Sequence, residues 1–147
     1  MNLIRIILVP ILAIPFFLNA TTHNTEFRAT WVVTWDYINA SYSTEQSMEK
    51  IDQIMDDHVK ANMTSVFFQI RQSGTSYYES SYEPWGYYTG YQYPGFDPLE
   101  YAVKSAHNRG LELHAWFNVF QTSSMQEGSP SMENPHWVCR DMYGNPM

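Results

Sequence analysis

Cysteine occurs once in this chain, at Cys139, so no internal disulfide can staple the fold, and a buried free thiol is the expected state. Basic side chains are scarce. Eight Lys and Arg stand against 15 Asp and Glu, a net charge of −7, which argues against nucleic acid or an anionic membrane as the main partner. No apolar run reaches the roughly 20 residues that cross a bilayer, and the longest, residues 6–18, is broken by Pro10 and Pro15. Motifs are missing too. There is no GxGxxG after any predicted strand, no HExxH, no GxSxG and no phosphate-cradling loop. Dinucleotide binding, zinc-protease chemistry and serine-elbow hydrolysis therefore have no support, and neither a metal nor a cofactor is called for. The five histidines show no ligand spacing.

What is present begins with a leader. Arg5, the apolar stretch and Asn19-Ala20 have the form of a signal peptide over residues 1–20, with an uncleaved anchor as the alternative, and predict export to the periplasm or the outside of the cell. The domain proper is expected over residues 26–147. Aromatic residues make up 16% of the chain, enough to furnish both a core and flat apolar surfaces of the kind that stack on sugars.

Residues 27–35 (FRATWVVTW) are β-branched and aromatic and read as a first strand. Ser43 and Gln46 have capping-box spacing, and Met48, Ile51, Ile54, Met55, His58 and Val59 recur at helical intervals to about Ala61. A second strand follows over residues 64–72 (TSVFFQIRQ). Asp97 as N-cap, Pro98 at the first position and Gly110 as terminator bracket a second helix, striped by Leu99, Ala102, Val103 and Ala106. A third strand occupies residues 111–120 (LELHAWFNVF). Strand, helix, strand, helix, strand means βαβ units and a parallel sheet. The helix-to-strand joins are short, whereas the strand-to-helix joins are long, above all residues 73–96. That asymmetry belongs to a (β/α)₈ TIM-type barrel with its site at the strand C-termini, here represented by about three β/α units.

Side chains on a strand alternate between faces. Phe67, Gln69 and Arg71 share one face of the second strand, and Glu112, His114, Trp116 and Asn118 share one face of the third. Parallel strands are usually apolar on both faces, so a polar face on two successive strands points to a barrel interior with a functional mouth. Gln69, Arg71, Trp116 and Asn118, nearest that mouth, are the candidates for ligand contact. A purely structural account competes: Arg71 and Glu112 as a buried ion pair, with Gln69 and His114 completing its hydrogen bonds. The 73–96 loop crowds seven tyrosines and Trp85 among four glycines. Tyr78 and Trp85 are its candidates for stacking on a sugar, against the alternative of a self-packed Ω-loop. Asp36, after the first strand, is placed to meet a hydroxyl, or is simply an exposed loop acid.

Three stretches carry a family resemblance: Gln69-x-Arg71 at a strand end, Glu83-Pro84-Trp85 in the loop, and His107-x-Arg109-Gly110-x-Glu112-x-His114-Ala115-Trp116. In this order they resemble the N-terminal third to half of the glycosyl hydrolase-like family 10, from about Glu26 onward. The resemblance implies an exported barrel enzyme cleaving glycosidic bonds in an oligo- or polysaccharide, with bacterial cell-wall glycan as one such polymer. His114, on the same strand face and within the third of these stretches, is a further candidate for substrate contact beside its structural reading. Two departures stand out. Asn118 is followed by Val119 where the family has proline, and the family's acidic motif lies on a fourth strand that this chain does not reach. Two carboxyl groups are needed for glycoside hydrolysis. No such pair is assignable here, so the expectation is an incomplete unit, inactive by itself, with a non-catalytic carbohydrate-binding or scaffold protein as the alternative.

Overall fold

In a computed structural model, residues 26–147 are described; the expected signal segment lies outside them. Three parallel strands form the sheet, with β2 (Ser65–Gln72) in the middle, β1 (Ala29–Val32) on one side and β4 (Glu112–Phe117) on the other. Trp31, Phe67 and His114 lie in register across all three strands. A two-residue strand, β3 (Thr75–Ser76), folds back antiparallel on the end of β2, pairing Arg71 with Ser76. The sheet is therefore mixed, where the sequence predicts parallel strands alone.

Both crossover helices form where their caps predict. α2 (Thr44–Lys60) opens on Ser43, whose Oγ accepts from the Gln46 amide at 3.2 Å while Gln46 Oε1 accepts from Ser43 N at 2.8 Å. α3 (Pro98–His107) opens on Asp97, whose Oδ1 takes the amides of Leu99 and Glu100. Gly110, at φ +74°, turns the chain into β4. Ile51, Met55, Ala102 and Ala106 from the two helices cover Val66, Phe68 and Ile70 on one face of β2, and all seven are almost fully buried. His58 belongs to this layer, its ring held between Thr30 Oγ1 (2.8 Å) and the Ile54 carbonyl (2.7 Å). Val59 does not join the buried stripe. It is 46% exposed because it stands one step, about 100°, around the helix from His58.

Two strands are shorter than their composition predicts. β1 stops at Val32, and residues from Thr34 coil into the single turn α1 (Thr34–Tyr37). That turn seats Tyr37 in the core, stacked on Phe68 at 4.2 Å with its hydroxyl donating to the Gln69 carbonyl at 2.7 Å. A straight continuation of the strand would leave this ring outside. β4 ends at Phe117, and Val119 and Phe120 are exposed. The short turn α4 (Pro130–Glu133) lies in the stretch that follows.

The opposite face of the sheet carries rings rather than helices. Phe67 stacks on Trp31 at 4.5 Å, Trp116 meets Trp31 edge-on at 4.8 Å, and His114 lies 5.4 Å from Phe67. Trp31 stays 60% exposed. The middle of this face is aromatic, with Glu112 and its register partner Ser65 at the N-terminal end.

One ionic cluster fastens the helices together. Asp52 on α2 accepts from Ser105 Oγ at 2.5 Å, Tyr101 Oη at 2.7 Å and Arg109 Nη1 at 3.1 Å, and Arg109 Nε donates to Asp56 at 2.7 Å. Partial burial pushes the Asp52 carboxyl up, but the Ser105 and Tyr101 hydroxyls and the Arg109 charge outweigh it and hold the group below the ordinary carboxylate range. A carboxyl whose folded value is depressed contributes stability above its unfolded value and loses it as pH falls through the folded one. Asp52→Asn should therefore lower stability at neutral pH and flatten the loss seen below about pH 4. Urea unfolding of both proteins at pH 7 and pH 3 checks this; parallel acid profiles would remove Asp52 from the account.

Candidate functional site

All three parallel strands end at the same edge of the sheet, and the long connections gather there. The residues proposed for ligand contact do come together at that edge. Gln69 and Trp116 are register partners, Arg71 follows, and the Asn118 amide donates to the Arg71 carbonyl at 3.3 Å. Between Gln69 and Arg71 the pairing slips: two residues of β2 pass against one of β4, a bulge. Simple alternation does not carry across that slip.

The polar atoms at this end are largely engaged within the protein. Gln69 is buried, and its Oε1 accepts from the Thr34 amide at 3.2 Å. The Arg71 guanidinium forks onto Glu83, with Nε 2.9 and 2.8 Å from the two carboxylate oxygens and Nη2 2.6 Å from Oε1. Its remaining nitrogen, Nη1, donates to the Asn118 and Val119 carbonyls. Arg71 thus fastens the tyrosine loop and the segment after β4 to the end of β2.

The alternative pairing of Arg71 with Glu112 does not occur. Glu112 pairs with Ser65 at the opposite end of the strands, and its carboxylate lies 3.3 Å from His114 Nε2. Gln69 and His114 therefore share no network. Asn118 is half-buried, with Nδ2 directed to Gln121 Oε1 at 3.4 Å. Asp36 is exposed, and its carboxylate accepts from the Val33 amide at the start of α1.

The loop after β2 is an ordered fold of its own. Tyr77 is its buried centre, and the hydroxyl accepts from the Tyr88 amide at 3.4 Å. Burial pushes the Tyr77 phenol up to about 12, so it remains a neutral donor at any physiological pH. Tyr78 is half-buried edge-on against Phe117, and Trp85 packs on Tyr93. Asp97 ties the loop to α3 as well, its Oδ2 accepting from the Glu79 amide at 2.8 Å.

Two cavities open at this edge. The first holds about 440 Å³ and is walled by Tyr77, Tyr87, Tyr88 and Tyr91, with Gln72, Ser73 and Thr75 below. Ser123, Ser124 and Met125 close its other side. The second, about 770 Å³, has the Arg71–Glu83 pair on its wall and apolar side chains from the segment after β4, among them Val119, Met132 and Trp137. None of the residues selected from sequence lines the first cavity; Arg71 lines the second. The tyrosine loop stood out in the sequence by composition, but nothing local ranks one of its rings above another.

The chemistry available is that of hydroxyls, amides and aromatic faces. Among the described residues, no group of three or more His, Cys, Asp or Glu is gathered closely enough to hold a metal ion. Of the edge carboxylates, Glu83 is committed to Arg71 and Asp97 to the α3 cap.

The profile of the glycosyl hydrolase-like 10 family matches residues 26–144. Glycosyl hydrolase YngK of Bacillus subtilis (strain 168) is 34% identical over 150 residues, covering 92% of this chain and 29% of the relative. Glycosyl hydrolase DigH of Escherichia coli (strain K12) is 32% identical over 120 residues, covering 71% of this chain and 27% of the relative. The chain thus spans less than a third of the curated relatives it matches. With residues 26–144 matched by the family profile, this chain belongs to the glycosyl hydrolase-like 10 family.

Proposed function

We propose that this chain forms part of an exported glycoside hydrolase acting on a polysaccharide, with bacterial cell-wall glycan the first polymer to try. Its three parallel strands would be consecutive staves of a (β/α)₈ barrel, and the ring-covered face of Trp31, Phe67, His114 and Trp116 would look into the barrel. The observation that carries this reading is the family membership, joined to the gathering of every long loop at the strand C-termini, where such barrels bind substrate. In this reading Trp116, Asn118, Tyr78 and Trp85 contact sugar, and Asp36 stands at the rim. Gln69 and Arg71 hold the mouth in shape through Thr34 and Glu83.

Glycosidic cleavage needs one carboxyl group as acid and a second as base or nucleophile, at a separation that sets the stereochemical outcome. We assign that pair to barrel strands other than the three described. The full-length protein, incubated with purified cell-wall glycan and a panel of neutral polysaccharides, should release new reducing ends. Replacing the carboxylates at its later strand ends should abolish release. Saturable binding with no new reducing ends would instead identify a carbohydrate-binding or scaffold protein.

A further inference from the structure

We infer that the tyrosine-walled cavity beside β2 is a subsite for one uncharged sugar unit. The inference rests on the carbohydrate reading above and names the ligand class of one part of that edge.

Size and composition are the first argument. A space of about 440 Å³ admits a sugar ring with its substituents, and among the described residues no Asp, Glu, Lys, Arg or His lines it. A carboxylate or phosphate entering would give up water and meet no cation, which is costly. The nearby guanidinium of Arg71 is already neutralised by Glu83 and lines the other cavity. A hydroxylated, uncharged ring loses little, because hydroxyls and amides of the wall replace its water.

The rings are the second argument. Tyr87 stands edge-on to both Tyr88 (5.3 Å) and Tyr91 (6.1 Å), and Trp35 backs Tyr88 at 5.8 Å. Tyr87 is exposed, yet it is propped from two sides. An aromatic face held open in this way suits the C–H face of a pyranose.

Backbone conformation is the third. Among the described residues, three other than glycine have positive φ, and two of them, Ser73 (+56°) and Tyr91 (+60°), line this one cavity. A bulky aromatic residue in that region costs stability, and such costs persist chiefly where a side chain has to be aimed. The Tyr91 amide is held there by the Gly86 carbonyl at 3.1 Å.

The test is binding, measured calorimetrically on the full-length protein. Tetra-N-acetylchitotetraose serves as the uncharged probe and tetragalacturonate as the carboxylated one. The uncharged probe should bind at least about ten-fold more tightly, with little dependence on salt. Tyr91→Gly removes the ring and suits the left-handed backbone, so affinity should fall about ten-fold while the melting temperature holds or rises. Tyr87→Ala, at an exposed position, should lower affinity similarly without unfolding the protein. Failure of the unaltered protein to bind the uncharged probe, unchanged affinity in both variants, or equal loss of both probes would overturn the inference. The two readings separate cleanly. Glycan cleavage with KM unmoved by either variant sinks the subsite and leaves the hydrolase. Tyrosine-dependent binding without cleavage does the reverse.

Discussion

Glu83→Ala should lower the unfolding free energy by about 3–5 kcal/mol, the cost typical of stranding one member of a buried ion pair. Arg71 and Glu83 are only 10% and 13% exposed at the side chain, and the guanidinium would be left buried with backbone carbonyls as its only remaining partners. Arg71→Ala should cost about as much, because it strands the carboxylate and also frees the Asn118 and Val119 carbonyls. Arg71→Lys should fall between, since a single ammonium cannot reproduce a fork that reaches Glu83 and two carbonyls together. The double variant Arg71→Met, Glu83→Leu should recover much of the loss, because an apolar pair of similar volume removes both desolvated charges at once. Urea unfolding of the four variants and the parent checks the series. Should Glu83→Ala lie within about 1 kcal/mol of the parent, water reaches the pair and Arg71 becomes available to a substrate. A large loss, by contrast, makes Arg71 the residue that holds two mouth loops to one strand.

How much of this could be read beforehand depended on the range of the interaction involved. Ser43 with Gln46, and Asp97 with Pro98, announce helix starts because the cap and the amides it satisfies lie within four residues. Gly110 announces the way out of α3 for the same local reason. Family membership was legible too, since it rests on short stretches in a fixed order. The ends of the strands were not legible. Thr34, Trp35 and Tyr37 are β-branched or aromatic, yet the chain coils there to stack Tyr37 on Phe68, thirty-one residues later. The partner of Arg71 depended on register: Glu112 pairs with Ser65 at the far end, while Glu83 returns through a loop whose path no periodicity describes.

The tyrosine cavity marks the same boundary. Composition located the loop, and Tyr78 and Trp85 were reasonable candidates within it. The rings that wall the cavity are others, chosen by a positive φ at Tyr91 and by the antiparallel return of Thr75 and Ser76 against β2. Tyrosine is a residue type that ordinarily avoids such a conformation. The sequence therefore carries no marker for it: the neighbouring Gly90 accounts for its own left-handed turn at φ +68° and says nothing of the residue after it.

Gly86→Ala should be the most damaging single-methyl change in this loop. Its backbone is at an ordinary negative φ, so conformational freedom is not what the position demands. Space is. A β-carbon at Gly86 would lie 2.4 Å from both Cζ and Oη of Tyr77, a ring that is itself almost fully buried. Neither side can easily give way. The Gly86 amide donates to the Ser76 carbonyl at 3.1 Å, and the Gly86 carbonyl accepts from the Thr89 amide, the Thr89 hydroxyl and the Tyr91 amide. Overpacking of this kind costs about 1–3 kcal/mol, and the rigid neighbours place it at the upper end. Gly110→Ala supplies the contrast: nothing among the described residues lies within 4 Å of its added methyl, and only the left-handed backbone is strained, a cost of about 1–2 kcal/mol that leaves the tyrosine loop intact. The two variants should thus differ in kind. Gly86→Ala should lose both stability and binding of uncharged oligosaccharide, since displacing Tyr77 displaces Tyr88 and Tyr91 with it, whereas Gly110→Ala should lose stability alone. Adding Tyr77→Leu to Gly86→Ala should return part of the stability but none of the binding. Calorimetric melting and titration of the same samples read out both quantities; a Gly86→Ala protein that melts and binds like the parent would mean that the loop yields around Tyr77 and does not frame a fixed cavity.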